Sequence, residues 1–420
     1  MKSIAPIGLL AVLTILHLPA TAQDQGRVPE QVQSGVYVCR DTQTIRFATF
    51  NVFLNRPNQG QLVQDLATGD KQAQAVAEII QRVRPDVLLL NEFDYDAEGE
   101  ALRDFTSNYL AQAQNHAEPI HYPYQYAAPS NTGIAAPIDV NGDGTIGGPT
   151  DAYGYGRFPG QYAMAFLSRY PIKRDAVRTM QKFLWQDMPG ALLPDDPGTS
   201  APQDFYSDHE LKRFRLSSKS HWDVPVQINN TVVHILAAHA TPAVFDGPED
   251  HNGRRNHDEI RLWADYIRNA QYISDDHGKR GGLQPQTRFV IMGDYNADPL
   301  DGDSHQGAID QLIGHPSINA SNVPTSDGGV VAAQLDNPQP PHKGDPAADT
   351  SDFSQNLRID YVLPSAWGLE PVASGVFWPK PDDPLYRLVG DGEPIISSDH
   401  RLVWMDLILT NCSSGEVSEG

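Results

Sequence analysis

Ile45-Arg46-Phe47-Ala48-Thr49-Phe50-Asn51-Val52 and Val87-Leu88-Leu89-Leu90-Asn91-Glu92 are the stretches whose reading decides the fold. Each is rich in apolar strand formers and closes on polar side chains, the pattern of a buried strand that delivers one group to a sheet edge. Between them, Val76, Ile79, Ile80 and Val83 recur at i, i+3, i+4 and i+7, which predicts a helix over 70–84 with one apolar face. Pro85-Asp86 ends it. Strand, helix and strand in direct succession predict an α/β class.

Working outward, the same patterning predicts strands at Tyr162–Ser168, Val224–Ile228, Val232–Ala238, Arg288–Met292, Asp360–Leu363 and Leu402–Leu409. A second amphipathic helix is predicted over His257–Ala270, with Ile260, Trp263, Ala264 and Ile267 on one face. The intervening stretches near 118–160, 183–215, 241–256, 298–350 and 377–397 are rich in Gly, Pro, Asp and Ser and read as long loops. Loops of that length inside a compact domain tend to carry function.

Polar residues fall at the ends of these strands: Asn51, Glu92, His239, Asp294, Asn296, Asp360, Asp399 and His400. Singly, each has a bland reading, Glu92 as a cap, Asp294 and Asn296 as an Asx turn after Gly293, Asp399 as a loop cap. Eight together at strand ends, where sites of α/β sheets assemble, point to a functional centre.

The segments Thr49-Phe50-Asn51-Val52, Pro85 through Glu92, Leu236-Ala237-Ala238-His239, Met292-Gly293-Asp294-Tyr295-Asn296, Arg358-Ile359-Asp360-Tyr361 and Ser397-Ser398-Asp399-His400 resemble, in order, the motifs of the endonuclease/exonuclease/phosphatase superfamily. Deoxyribonuclease I, exonuclease III and neutral sphingomyelinase typify that superfamily. The resemblance implies a four-layered α/β/β/α sandwich, two packed mixed sheets flanked by helices, and a phosphoesterase that depends on Mg²⁺ or Mn²⁺. It implies Glu92 as the principal metal ligand, with Asn51 and Asp399 beside it. It also implies that His400 activates a water for in-line attack, with Asp360 holding its other ring nitrogen. Asp294 and Asn296 would orient the phosphate and the attacking or departing oxygen, and His239 would protonate the leaving oxygen or stabilise the charged transition state. Phe53 stands where the abasic-site nuclease branch carries an acid, and His239 replaces that branch's asparagine, which argues against DNA repair.

Loop residues Arg157, Lys219, His221, Arg254 and Arg255 are candidate substrate-binding groups, able to donate to a phosphate; solvated loops are the competing reading. Asp139-Val140-Asn141-Gly142-Asp143-Gly144-Thr145 matches the first half of an EF-hand-like calcium loop. Its twelfth position is Thr150 rather than an acid, and Asp151 comes one residue late. Ca²⁺ is therefore a candidate second cofactor at Asp139, Asn141, Asp143, Thr145 and Asp151, against an ordinary pair of turns.

Met1-Lys2-Ser3, an apolar run from Ile4 to Leu18 and Ala20-Thr21-Ala22 read as a signal peptide over 1–22, the run being shorter than the ~20 residues a spanning helix needs. A lead-in over 23–40, one domain with loop insertions over 41–411 and a disordered tail over 412–420 complete the expected organisation of a secreted or periplasmic protein. The two cysteines, Cys39 and Cys412, bracket the predicted domain and in an oxidising compartment suggest a disulfide. With 31 Lys and Arg against 53 Asp and Glu, the formal charge is -22. That balance disfavours duplex nucleic acid, whose binding rests on cationic side chains. The expected function is hydrolysis of phosphate mono- or diesters, with no obligatory protein partner. A secreted non-specific nuclease is one alternative. A non-catalytic binding protein on the same fold is the other, and it would be expected to lack one or more of the eight polar residues.

Overall fold

The computed structural model describes residues 37–40, 43–336, 341–353, 356–392 and 394–414. The signal peptide read over 1–22, most of the lead-in, the end of the tail and the side chains of Cys39 and Cys412 lie outside the described residues. The compact unit runs from Cys39 to Cys412, and no helix among the described residues is long and apolar enough to cross a membrane.

The strands are β1 (Tyr37–Arg40), β2 (Thr44–Leu54), β3 (Val87–Phe93), β4 (Tyr124–Tyr126), β5 (Met164–Ser168), β6 (Arg178–Thr179), β7 (His221–Ile228), β8 (Thr231–His239), β9 (Phe289–Asp294), β10 (Asp360–Pro364), β11 (Leu369–Val376), β12 (Val403–Leu409) and β13 (Asn411–Ser414). One sheet has the order β11-β12-β2-β3-β5-β4, a second β10-β9-β8-β7-β6, and β1 pairs with β13 in a short separate ladder. Both large sheets are mixed: β2 and β3 run parallel, as do β8 and β9, and their other pairings are antiparallel.

Alternation along the strands builds the layers, because successive side chains leave opposite faces of a sheet. Ile45, Phe47, Val87 and Leu89 meet Val224, Ile235, Val290 and Met292 between the sheets. Ala48, Phe50, Leu88 and Leu90 turn outward onto Val76, Ile79 and Ile80 of the helix Lys71–Val83. Leu236, Ala238 and Ile291 pack onto Ile260 and Trp263 of the helix His251–Ile267. The result is the expected α/β/β/α sandwich.

The helix Lys71–Val83 starts where the sequence puts it, because the Asp70 carboxylate caps it by accepting from the Ala73 N–H at 2.7 Å. The other long helix begins at His251, six residues ahead of the predicted His257, and ends at Ile267 rather than Ala270. Its first turns carry no apolar period; Arg255, Asn256, Asp258 and Glu259 are buried there instead. Strand β11 also escaped the sequence reading. It is an edge strand interrupted by an irregularity between Pro371 and Ala373, and proline on an edge erases the strand pattern.

Candidate active site

Register brings three of the eight polar residues into one row. His239 on β8 pairs with Asp294 on β9, and Asp294 pairs with Asp360 on β10. Gly293 permits this approach: its φ is +153°, and a Cβ there would lie 1.9 Å from the Ala238 carbonyl oxygen. His400, from the segment before β12, completes the row. Its Nδ1 donates to Asp360 Oδ2 at 2.8 Å, and its Nε2 lies 3.7 Å from Asp294 Oδ2. Thr350 Oγ1 donates to the same Asp360 oxygen at 2.8 Å, and the other Asp360 oxygen is buried without a partner.

The first sheet supplies the rest. Asn51 Nδ2 donates to Asp294 Oδ2 at 3.0 Å, bridging the two sheets. Ser398 Oγ donates to the Asn51 carbonyl at 2.6 Å, and Gln72 Nε2 donates to the carbonyls of Phe53 and Ser397, both at 2.9 Å. These bonds pin the Ser397–His400 segment against the end of β2. Glu92, next to last in β3, lies in the left-handed region, φ 56°, with its Oε2 accepting from Asn55 Nδ2 at 2.8 Å. Asn296 is left-handed as well, φ 48°. Its N–H donates to Asp294 Oδ1 at 2.9 Å and its Nδ2 to the Ala240 carbonyl at 3.1 Å. The Asx turn and the site are thus one arrangement. Backbone strain of this kind gathers at functional sites.

Charge is unevenly distributed. Burial, then Asp399 and Asp294, push Glu92 up to about 7, against the opposing pull of His400 and Lys219. Burial works against the His400 imidazolium, but Asp360 and Asp294 outweigh it and hold His400 above its ordinary range. Burial, with Lys219 and His400 nearby, pushes His239 well below its own range, so it stands as a neutral imidazole. His239 Nε2 lies 3.5 Å from Asp294 Oδ2, and its Nδ1 is buried without a partner.

Among the described residues, one group of acids and imidazoles brings its ligating atoms within 4.8 Å of one another: Asp294, Asp360 and His400. In that trio the Asp360–His400 contact is itself a hydrogen bond. A second oxygen-rich set, Glu92 with Asp399 and Asp294, borders the same cavity of about 620 Å³. Burial first, and then repulsion from Asp399 and Asp294, raises Glu92; a bound cation would relieve both, and carboxylate oxygens suit Mg²⁺ or Mn²⁺.

The candidate substrate-binding groups divide. Lys219 is buried beside a neighbouring cavity of about 530 Å³. His221 belongs to the core instead: its ring meets Ser217 Oγ and the Glu259 carbonyl and packs on Trp263. Arg255 lines the second cavity, but its guanidinium donates to the carbonyls of Leu216, Tyr153 and Arg215. Arg254 donates to the Leu193 carbonyl at 3.3 Å, and Arg157 is exposed. In the proposed calcium loop, the Asp139 carboxylate accepts from the N–H groups of Gly142, Asp143 and Gly144, and Asp143 accepts from that of Thr145. Asn141 Nδ2 reaches Asp143 Oδ2 at 3.1 Å. Asp151 is spent on the N–H groups of Val140 and Gly147. These acids make no converged ligand set of three among the described residues.

Sequence reasoning missed Glu259. Buried on the helix His251–Ile267, it accepts from the N–H groups of Ser218 and Thr241, both at 2.6 Å, and so fixes two loops of the site. Asn256 adds bonds to the carbonyls of Thr241 and Tyr295, at 2.7 and 2.8 Å. The only signal was an acid one residue before the apolar Ile260 of that helix.

The family described as "Endonuclease/Exonuclease/phosphatase family" matches residues 48–400. No curated protein matches. Among solved structures, the chain is similar to an endonuclease/exonuclease/phosphatase from Beutenbergia cavernae DSM 12333, with 16% identity over 88% of this chain and 72% of that one and a TM-score of 0.48. It is also similar to sphingomyelinase C from Streptomyces griseocarneus, with 16% identity over 87% and 99% and a TM-score of 0.39. A beta toxin from Staphylococcus aureus with bound magnesium ions has 14% identity over 86% and 99% and a TM-score of 0.41.

Proposed function

The chain belongs to the endonuclease/exonuclease/phosphatase family, whose members are metal-dependent phosphoesterases or nucleases, and from that premise we propose that it is an exported hydrolase of phosphate mono- or diesters. The observation that carries the reading is that Glu92, Asp294, Asp399 and the Asp360-paired His400 meet at one cavity. Glu92, with Asp399 and Asn51, would hold the divalent cation. When bound, that ion neutralises charge on the phosphoryl oxygens.

His400 takes a proton from water through Nε2 as the water oxygen bonds to phosphorus, and Asp360 steadies the resulting imidazolium. His239 is neutral and therefore acts as a hydrogen-bond donor to developing negative charge rather than as a strong acid. Asn296, tied to Asp294 and the Ala240 carbonyl, keeps the attacked phosphate in register. All eight strand-end polar residues are present, which favours catalysis over a binding protein on this fold. Export rests on the start of the chain, Met1 to Ala22; an exported protein beginning near Gln23 supports it, and one retaining Met1 contradicts it.

The test is hydrolysis of bis-p-nitrophenyl phosphate, p-nitrophenyl phosphate and fluorescent duplex DNA, each with Mg²⁺, Ca²⁺ or EDTA. The proposal expects turnover of at least one small ester with Mg²⁺, abolished by EDTA and restored on adding the ion back. Turnover of DNA alone would favour the nuclease reading, and turnover that survives exhaustive chelation would reject both.

A further inference from the structure

Two cavities meet at Glu92, separated by a ridge of Pro242, Val244 and Phe245 that lines both. They differ in chemistry. The first carries Glu92, Asp294, Asp301, Asp303 and Asp399, with His400 and Lys343 as its basic groups. The second carries Lys219 and His239, and its only carboxylate is the shared Glu92.

Resting on the hydrolysis proposed above, we infer that the second cavity receives the departing alcohol, and that this alcohol is a ring-bearing polyol of nucleoside or glycoside size. The argument starts from stereochemistry. In-line displacement puts the entering and departing oxygens on opposite sides of phosphorus. His400, which delivers the water, borders only the first cavity, whereas His239 and Lys219 border only the second. The new P–O bond forms from the first side while the old one breaks toward the second. The water proton passes to His400, and the departing alkoxide takes a proton from the Lys219 ammonium. Burial holds that ammonium below its usual range, against Glu259, Asp294 and Glu92, which makes it a readier acid.

Size and surface define the occupant. About 530 Å³ far exceeds a phosphate and falls among cavities that hold whole small molecules. Tyr155 and Tyr162 stand with ring centroids 6.3 Å apart, and Phe245 on the ridge is 91% exposed, so apolar ring faces are on offer for stacking. Asn141, Thr150 and Asn252 line the cavity without being buried, and their polar side chains offer hydrogen bonds to hydroxyls or ring nitrogens. The wall is preformed, since Glu259 holds the N–H groups of both Ser218 and Thr241.

The test compares kcat/KM, at saturating Mg²⁺, for phosphate esters that differ only in the leaving alcohol: methanol, a nucleoside through its 5′ oxygen, and methyl glucoside. Each is offered as the monoester and as the methyl diester. The wild-type protein is expected to favour at least one ring-bearing alcohol over methanol by a hundredfold or more, and the preferred arm identifies nucleoside or glycoside. Thr150→Trp, at an exposed position on the rim of the cavity, and Tyr155→Ala are expected to cut that preference at least tenfold, mainly through KM. Hydrolysis of all esters within threefold of one another, or a preference that both folded variants retain, would overturn the inference. If the wild-type protein hydrolyses none of them but does hydrolyse a p-nitrophenyl ester, the inference falls and the proposed function stands; if it hydrolyses neither set, both fall.

Discussion

The imidazole of His400 faces Asp360 at 2.8 Å and Asp294 at 3.7 Å, so its charge state is set by carboxylates that a cation would also feel. Without metal it is held protonated above its ordinary range. A bound divalent ion weakens the field of Asp294 and Asp399 and should lower it toward the pH at which it can act as a base. NMR titration of His400 should show its apparent pKa falling on addition of Mg²⁺, and an unchanged value would separate the imidazole from the metal. His400→Ala should reduce kcat by about 10²–10⁴; a variant within tenfold of the parent would refute its role as base. These residues were legible because each interrupts an apolar strand with a polar group. Lys219 and His221 were not separable in the sequence. They lie two apart, both are buried, and only the packing assigns one to the cavity and the other to Trp263.

Elements decide how closely these groups approach. The pairing of β8 with β9 sets His239 opposite Asp294 and leaves no room for a side chain at Gly293. Gly293→Ala should therefore cost at least ~2 kcal/mol, read as a lower denaturation midpoint, and should reduce activity in whatever fraction stays folded. A parent-like midpoint would mean the strands can spread without loss. The period-two and 3.6-residue patterns made most of the core strands and the helix Lys71–Val83 readable. The start of the helix His251–Ile267 was hidden because its first turns are stabilised by buried polar bonds, Arg255 to three carbonyls and Asn256 to two, which leave no hydrophobic trace.

Across the whole molecule, a formal charge of -22 coexists with a cleft in which acids repel one another. Burial raises both Glu92 and Asp94 to about 7 from ordinary values of 4.5 and 3.8, helped at Glu92 by Asp399 and Asp294 and opposed at Asp94 by hydrogen bonds from the Arg56 and Tyr162 N–H groups. Because the folded values are raised, the stability these groups contribute is present below about pH 4 and is lost as pH rises through 7. The metal-free protein should therefore melt at a lower temperature at pH 8 than at pH 5, and Mg²⁺ should raise the midpoint more at pH 8. Glu92→Gln should flatten the pH dependence and remove most of the Mg²⁺ effect; an equal Mg²⁺ shift at both pH values would contradict this. The sandwich was legible from strand order and motif order. The two cavities were not, because long loops such as 241–250 and 139–155 shape them without any period.

The most direct measurement is anomalous diffraction from crystals soaked with Mn²⁺ and inorganic phosphate. The account predicts a manganese peak bonded to a Glu92 carboxylate oxygen and to the phosphate, with His400 Nε2 facing the phosphorus from the first cavity and His239 from the second. Manganese bound away from Glu92, or a phosphate that neither imidazole faces, would contradict it.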